Sequence, residues 1–268
     1  MKRSIAIDRS KCIHCGKCIG DCIVGCIRFD TAKFPAYIEN GDKLCVGCQH
    51  CMAICPTGAL SFGGKNPADS EPVGHWNSDE LLRLIKSRRS IRFYKRQNIS
   101  SETLAKLAEM LNYPPTGGNR ENLHFSIVGT SEKMRAIEKI TYDKISASDN
   151  PSPTMKFCLD NYKNGVDFIY RGAPSLIAVS IDPAKTIPGC ETADPIIPLA
   201  YLELYAQSLG LGTLWTDAAL TIAREIPEVM EALEIPEGYS LAYVMLLGVP
   251  SIKYQRTVQR EPAHFKII

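Results

Sequence analysis

The sequence predicts an α+β protein with two domains: a small cysteine-rich domain, and a larger one with an antiparallel-rich sheet surrounded by helices. Nine of the 11 cysteines lie between residues 12 and 55. Residues 63–76 are rich in glycine and proline, which is typical of a linker. After residue 77, helical and strand patterns mix without the regular alternation of a doubly wound fold. We therefore expect domains at 1–62 and 77–268, joined by a linker at 63–76.

Composition limits the classes of protein to consider. The chain has 268 residues, of which 45% are hydrophobic and 22% charged, and this is ordinary for a globular protein of about two domains. The net charge of +2 gives no support for nucleic-acid binding. The N-terminus lacks the apolar region of a signal peptide, and the longest apolar stretch, 239–249, is too short to span a bilayer. We expect a cytoplasmic protein without membrane partners, whose cysteines serve metal binding or catalysis rather than disulfides.

The cysteines between residues 12 and 55 form a duplicated motif. Each copy has the spacing C-x2-C-x2-C-x3-C, and the second copy is followed by Pro56. Three cysteines at two-residue spacing wrap three corners of one 4Fe-4S cube, and the fourth is directed to the other cube. The spacing therefore predicts two clusters that exchange their fourth ligands. The first cluster is expected on Cys12, Cys15, Cys18 and Cys55, and the second on Cys45, Cys48, Cys51 and Cys22.

Zinc is the alternative for paired C-x2-C units, because tetrahedral zinc sites also use them. Such sites have no use for the third and fourth cysteines of each copy, so the spacing favours iron–sulfur clusters. Cys26 lies outside the motif, and a small buried apolar residue is a better interpretation of it than a spare ligand.

The motif resembles that of the bacterial two-cluster ferredoxins over residues 4–62, including one strand before the first copy and another after the second. The chain departs from the family at Ile23, where proline is usual, and at Cys26, where a small residue such as alanine normally packs. The resemblance implies a ferredoxin-like domain that transfers electrons one at a time.

The larger domain opens with two helices, whose capping residues are Asn77 or Ser78 and then Ser100 or Ser101. A long apolar helix begins at Asp194 or Pro195 and ends at Ser208. The tail after Pro250 is basic and aperiodic, which indicates an extended arm. Further apolar patterns predict strands at 125–128, 175–181 and 241–247 and a helix at 132–145.

Three segments of this domain suit a phosphate-bearing cofactor. Residues 87–92 carry three arginines, whose guanidinium groups pair bidentately with phosphate oxygens, although such charge is also typical of an ordinary helix end. The loop 114–119 offers a hydroxyl and an amide, and the glycines of 208–215 let the backbone approach a ligand. The third glycine and the βαβ setting of a Rossmann fingerprint are missing.

Taken in order, these segments resemble the FMN-dependent nitroreductase family over about residues 78–262, together with Ala173-Pro174 and Gly248-Val249-Pro250. The resemblance implies a homodimer with one FMN at each subunit interface. The chain departs from the family at Glu121, where glutamine is frequent. The implied FMN contacts are Arg88, Ser90, Arg260 and Arg256 for the phosphate, Arg89 and Arg92 for the ribityl chain and ring edge, Pro115, Thr116 and Asn119 for the partner's flavin, and the backbone of Leu214, Trp215 and Thr216 for the isoalloxazine.

These features predict an oxidoreductase that passes electrons from the clusters to FMN and on to a nitroaromatic, quinone or similar small acceptor. The flavin, rather than a catalytic side chain, performs the chemistry, and a ferredoxin or NAD(P)H supplies the electrons. Two alternatives stay open. In one, NAD(P)H-reduced FMN exports electrons through the clusters to a protein partner. In the other, the chain is an electron carrier or redox sensor without a small-molecule substrate.

Overall fold

The computed structural model describes residues 3–268; Met1 and Lys2, the first residues of the predicted cysteine-rich domain, lie outside the described residues. The chain divides into two compact units. The first unit comprises the chain up to Trp76 together with 118–120, and the second comprises 77–117 and 121–268.

The first unit contains two small antiparallel sheets and three one-turn helices. Strand β1 pairs with β4, with Ile5 opposite Phe62, and β2 pairs with β3, with Ile27 opposite Tyr37. Leu60 and Phe62 are buried together with several motif cysteines. The elements are β1 Ile5–Ile7, α1 Lys17–Gly20, β2 Ile27–Phe29, β3 Pro35–Tyr37, α2 Gly41–Leu44, α3 His50–Ala53 and β4 Leu60–Phe62.

The second unit is built on a four-stranded antiparallel sheet with the strand order β5-β6-β8-β7. Its strands are β5 Leu123–Val128, β6 Ser175–Ile181, β7 Gly212–Trp215 and β8 Ser240–Gly248. All seven residues of β6 are buried. Helices surround the sheet, so the predicted α+β class is confirmed.

Alternate residues of the central strands enter two separate apolar cores, as expected when successive side chains point to opposite faces of a sheet. Leu176 and Ala178 belong to one core, and Ile177 and Val179 to the other. The helices are α4 Ser78–Ser87, α5 Ser101–Met110, α6 Ser131–Ala147, α7 Pro153–Lys163, α8 Ala193–Ser208, α9 Asp217–Glu225 and α10 Pro227–Ala232.

Local signals account for the predicted helix starts. The Asn77 side chain accepts hydrogen bonds from the backbone N–H groups of Asp79 and Glu80, and the Ser100 hydroxyl accepts one from Thr103 at 3.2 Å. These bonds satisfy backbone donors that have no partner within the helix. The predicted strand at 175–181 is confirmed in both bounds. Helix α7 and strand β7 were not predicted.

Candidate functional site

Three cysteines of the first motif copy line a cavity in the first unit. That cavity is lined by Cys12, Cys15, Cys18 and, from the second copy, Cys55. Within residues 3–268, no three His, Cys, Asp or Glu side chains converge on a position suited to a single metal ion. The structure thus brings Cys55 of the second copy together with three cysteines of the first.

The duplication seen in the sequence is repeated in the backbone of the two loops. Two residues after its first cysteine, each loop has a left-handed residue, His14 with φ 52° and Gly47 with φ 74°. Four residues after that cysteine a second one follows, Gly16 with φ 70° and Gln49 with φ 63°. Left-handed residues turn the chain sharply, so each loop curls around its own cysteines.

In the first group, Cys12, Cys15, Cys18 and Cys55, burial and nearby charge oppose ionisation of the Cys18 thiol. Burial raises the pKa of the Cys18 thiol, and the charges of Cys55, Cys15 and Cys12 raise it further. Four thiolates this close repel one another unless positive charge lies between them. Iron in a 4Fe-4S cluster provides such charge, and the backbone N–H of Ala59 donates to the Cys55 sulfur at 3.2 Å.

The second predicted ligand group, Cys45, Cys48, Cys51 and Cys22, is more buried than the first. Cys45 and Cys51 are buried, and burial raises the pKa of Cys51 to about 11, with further contributions from the charges of Cys48, Cys45 and Cys18. The backbone N–H of Gly47 donates to the Cys45 sulfur at 3.4 Å. Cys22, the predicted fourth ligand, has its sulfur 3.4 Å from that of Cys26.

In the second unit, the arginine segment lies along the edge strand β7. Ser90 forms a parallel bridge with Thr213, and the Ile91 N–H donates to the Thr213 carbonyl at 2.8 Å. A Cβ atom on Gly212 would lie 2.4 Å from Cγ1 of Ile91, so only glycine permits this approach. The structure therefore brings together two of the segments that the sequence singled out.

The arginines differ in how their guanidinium groups are held. Arg88 Nη1 donates to Glu203 Oε1 at 3.2 Å, and the Thr213 hydroxyl donates to the same oxygen at 3.2 Å. Arg89 Nη1 donates to the Arg88 carbonyl. Arg92 is exposed and Nη1 makes only a 3.4 Å contact with the Ser90 carbonyl. Glu203, a buried carboxylate on α8, was missed by the sequence reasoning; its signal is an acidic residue in the middle of an apolar helix.

Arg89 provides the test of whether this site fits an anionic cofactor. Its Nη2 atom is buried and has no hydrogen-bond partner among residues 3–268. A buried donor without an acceptor is costly, and a phosphate or a flavin carbonyl oxygen would satisfy it. The residues present therefore fit FMN.

The loop at 114–119 is held by a buried carboxylate. Gly117 N–H donates to Asp194 Oδ1 at 2.8 Å, and the Asn122 amide donates to the other carboxylate oxygen at 3.0 Å. The Thr116 hydroxyl accepts from the Glu121 N–H at 3.1 Å. Asp194 is 2% exposed, so its buried carboxylate holds the loop in position and is not accessible to a ligand.

Pro115 and Asn119 are placed differently within the same loop. Pro115 is exposed. Asn119 adopts a left-handed conformation with φ 53°, and its amide donates to the Val46 carbonyl at 3.0 Å. Residues 118–120 therefore belong to the first compact unit, and one donor of the Asn119 amide is already engaged.

Strand β7 contains the backbone predicted to face the isoalloxazine. Leu214 is buried and Trp215 is half-buried, with the Trp215 ring packed edge-on to Tyr243 at 5.1 Å between centroids. The Thr216 hydroxyl caps α9 by accepting from the Ala219 N–H at 3.2 Å. Arg256 and Arg260 lie in the tail 251–268, where every residue is exposed.

Two sequence profiles match the chain. Residues 85–249 match the Nitroreductase family, and residues 5–62 match the 4Fe-4S dicluster domain. None of the helices within the described residues is long and apolar enough to cross a membrane.

Solved structures with the same fold include two nitroreductases crystallised with bound FMN. The protein from Desulfitobacterium hafniense is 24% identical, with a TM-score of 0.56 over 72% of this chain and 100% of its own. The protein from Bacteroides fragilis is also 24% identical, with a TM-score of 0.57 over 70% of this chain and 98% of its own.

Curated relatives match one part of the chain each. An archaeal-type glutamate synthase [NADPH] from Thermotoga maritima is 39% identical over 79 residues, which are 30% of this chain but only 15% of that protein. A protein from Archaeoglobus fulgidus, provisionally named NADH dehydrogenase/NAD(P)H nitroreductase, is 28% identical over 64% of this chain and 86% of its own length.

Fold and profile matches together define a nitroreductase-fold protein with an added 4Fe-4S dicluster domain. Its larger unit has the nitroreductase fold, and its smaller unit is the 4Fe-4S dicluster domain. The chain belongs to the nitroreductase family.

Proposed function

We propose that this chain receives electrons one at a time at two 4Fe-4S clusters and passes them to FMN, for the reduction of a nitroaromatic, quinone or similar small acceptor. The observation that carries the proposal is the cysteine-lined cavity of the first unit, in the same chain as a nitroreductase-family domain. A flavoenzyme that receives hydride from NAD(P)H needs no one-electron relay. The two cofactors together imply that electrons enter singly and leave in pairs.

Eight cysteines are assigned to the clusters. The shared cavity and the mutual effects on the pKa of Cys18 support Cys12, Cys15, Cys18 and Cys55 for the first cluster. The second is assigned to Cys45, Cys48, Cys51 and Cys22, two of which are buried in the same core. The backbone N–H groups of Ala59 and Gly47 donate to sulfurs of the first and second groups, respectively.

Several side chains of the second unit are assigned to FMN, which when bound supplies the two-electron chemistry. Arg88 and Ser90 bind the phosphate, with Arg260 and Arg256 contributed by the tail. Arg89 presents its unpartnered Nη2 to an acceptor oxygen, and Arg92 provides positive charge at the ring edge. Pro115, Thr116 and Asn119 are assigned to the partner's flavin, and the backbone at Leu214, Trp215 and Thr216 lines the ring.

The proposal includes a homodimer. Helix α4 buries none of its residues within the chain, and its apolar side chains Leu81, Leu82 and Ile85 are 50%, 47% and 47% exposed. Phe93 is 62% exposed. An amphipathic helix without a partner loses the contribution of its apolar face, and a second copy of the chain would cover it. Sedimentation of an Ile85→Asp variant as a monomer would support this assignment, and an unchanged dimer would contradict it.

The experiment that tests the function follows both chromophores during anaerobic reduction. We expect eight irons, eight sulfides and one FMN per chain. Photochemically reduced viologen should reduce the clusters first and the flavin afterwards, and nitroaromatic addition should reoxidise both. In a Cys48→Ser variant, electron delivery from viologen to FMN should slow at least tenfold while bound FMN stays at one per chain. Flavin reduction with permanently oxidised clusters would refute the proposal.

The name of the Archaeoglobus fulgidus relative favours a second candidate, in which NAD(P)H reduces FMN and the clusters export electrons. Mixing the oxidised protein with NADH or NADPH separates the two directions. Rapid flavin reduction followed by cluster reduction would support export. Turnover with viologen but not with either nucleotide would support the inward direction, and absence of turnover with any acceptor would leave the carrier or sensor role.

A further inference from the structure

Two polar side chains are packed behind the second cysteine group, at the base of the β2–β3 hairpin. Cys26 immediately precedes β2 and is 1% exposed. Tyr37 ends β3 and is paired with Ile27. A Cβ atom on Gly41 would lie 2.7 Å from the Cys26 carbonyl oxygen and 3.0 Å from Cβ of Tyr37. This tight packing holds both side chains in one place.

Both side chains lie close to cysteines of the second group. The Cys26 sulfur lies 3.4 Å from the Cys22 sulfur. The Tyr37 hydroxyl oxygen is buried and lacks a hydrogen-bond partner among residues 3–268. An unpartnered buried hydroxyl normally has an explanation, and Tyr37 packs against the core that contains Cys26, Cys45 and Cys51.

Both groups can supply a proton. A tyrosine hydroxyl is a hydrogen-bond donor, and a cysteine thiol that faces a metal-bound thiolate is the partner with a proton to give. Each group can therefore donate a hydrogen bond to the sulfurs of the second cluster.

Among residues 3–268, no equivalent pair faces the first group, Cys12, Cys15, Cys18 and Cys55. Cys26 lies four residues after Cys22, and the residue four after Cys55 is Ala59. Around Cys55, the donors are the Ala59 backbone N–H at 3.2 Å and the Thr57 hydroxyl at 3.8 Å. The two halves of the duplicated motif thus differ in the side-chain donors that face their sulfurs.

We propose that Cys26 and Tyr37 donate hydrogen bonds to sulfurs of the second cluster, held by Cys22, Cys45, Cys48 and Cys51, and thereby set its reduction potential above that of the first. Hydrogen bonds to cluster sulfurs stabilise the extra negative charge of the reduced state. One electron that reduces the first cluster then passes to the second, which is reduced as the first is reoxidised. The proposal rests on the ligand assignment of the proposed function.

The test is an anaerobic redox titration of the full-length protein, followed by electron paramagnetic resonance. Tyr37→Phe removes the hydroxyl and keeps the ring, and Cys26→Ala copies the residue present at Ala59. We expect each substitution to lower the potential of the second cluster only, and the double variant to bring the two potentials together. Tyr113→Phe, at an exposed tyrosine of the second unit, is the matched control and should change neither potential.

Two further measurements make the result decisive. In a Cys55→Ser background, which weakens the first cluster, the shift caused by Tyr37→Phe should persist on the remaining signal. Electron–nuclear double resonance should detect exchangeable protons coupled to the reduced second cluster, and the double variant should lose them. Iron and sulfide are quantified in every sample.

The outcomes are distinguishable from failure of the proposed function. Protein purified without iron or with zinc would refute the cluster assignment itself. If both clusters are present but neither single variant changes a potential, only the tuning role is overturned. The same holds if the two potentials shift equally. Loss of iron from Tyr37→Phe and Cys26→Ala would also overturn it, because it would make the two residues structural supports.

Discussion

Replacement of Arg88 with alanine tests the most unusual contact of the candidate FMN site. Arg88 is an expected phosphate ligand, and it is held at 3.2 Å from Glu203 Oε1. The side chain of Glu203 is only 10% exposed and that of Arg88 is 31% exposed. Arg88→Ala therefore leaves a nearly buried carboxylate whose remaining partner is the Thr213 hydroxyl.

The expected loss of unfolding free energy follows from the burial of the Arg88–Glu203 ion pair. Removing one partner of a fully buried ion pair costs about 3–5 kcal/mol, and a hydrogen bond to a charged group contributes roughly 1.5–3 kcal/mol. Arg88 is partly exposed and solvent screens it, and Thr213 stays in place. We therefore expect the free energy of unfolding of the second unit to fall by about 2–3 kcal/mol.

Urea unfolding followed by tryptophan fluorescence measures this loss. The chain has two tryptophans; Trp76 is 85% exposed, so the signal change comes mainly from Trp215 on β7. A loss of this size moves the midpoint by about 1 M urea. The measurement is made on flavin-free protein, so that phosphate binding by Arg88 does not contribute.

A double variant separates the buried charge from loss of the arginine side chain. Arg88→Ala/Glu203→Gln keeps an acceptor for Thr213 and removes the charge, so it should recover at least half of the lost stability. Arg92→Ala, at an exposed arginine, should change the free energy of unfolding by no more than about 0.5 kcal/mol. A double variant no more stable than Arg88→Ala would refute the reasoning.

Two further predictions concern the cluster ligands and the β7 edge. Cys55→Ser should reduce the iron content by about half and remove the signal of the cluster assigned to Cys12, Cys15 and Cys18; loss of the other cluster instead would disprove the exchange of ligands. Gly212→Ala should lower the unfolding midpoint of the second unit, because the new Cβ would lie 2.4 Å from Ile91 Cγ1 and 2.9 Å from Pro250 Cγ. Overpacking of this kind costs about 1–3 kcal/mol, and Gly189→Ala, where the Cβ meets no atom within 4 Å, provides a comparison limited to strain from its φ of 93°.

Local patterns predicted much of the second unit. The capping side chains of Asn77 and Ser100 make the expected bonds, and helix α8 ends at Ser208 as predicted. Strand β7 was not predicted, because four residues containing one glycine carry little periodicity. Its strand conformation comes from pairing with β8, where Thr213 lies opposite Leu247. Such pairing joins segments that are distant in sequence, so residues 212–215 by themselves do not indicate a strand.

The cysteine spacing by itself determined that the N-terminal part is a cluster-binding domain, because eight thiols at duplicated short spacing suit cubane clusters and little else. Only the tertiary structure decided which other groups face those thiols. Cys26 and Tyr37 are 11 residues apart, and the β2–β3 hairpin brings both into the core that contains Cys45 and Cys51. Likewise, Glu203 and Arg88 meet across 115 residues. Sequence spacing specifies local ligand geometry, whereas polar partners in a buried site depend on which distant segments pack together.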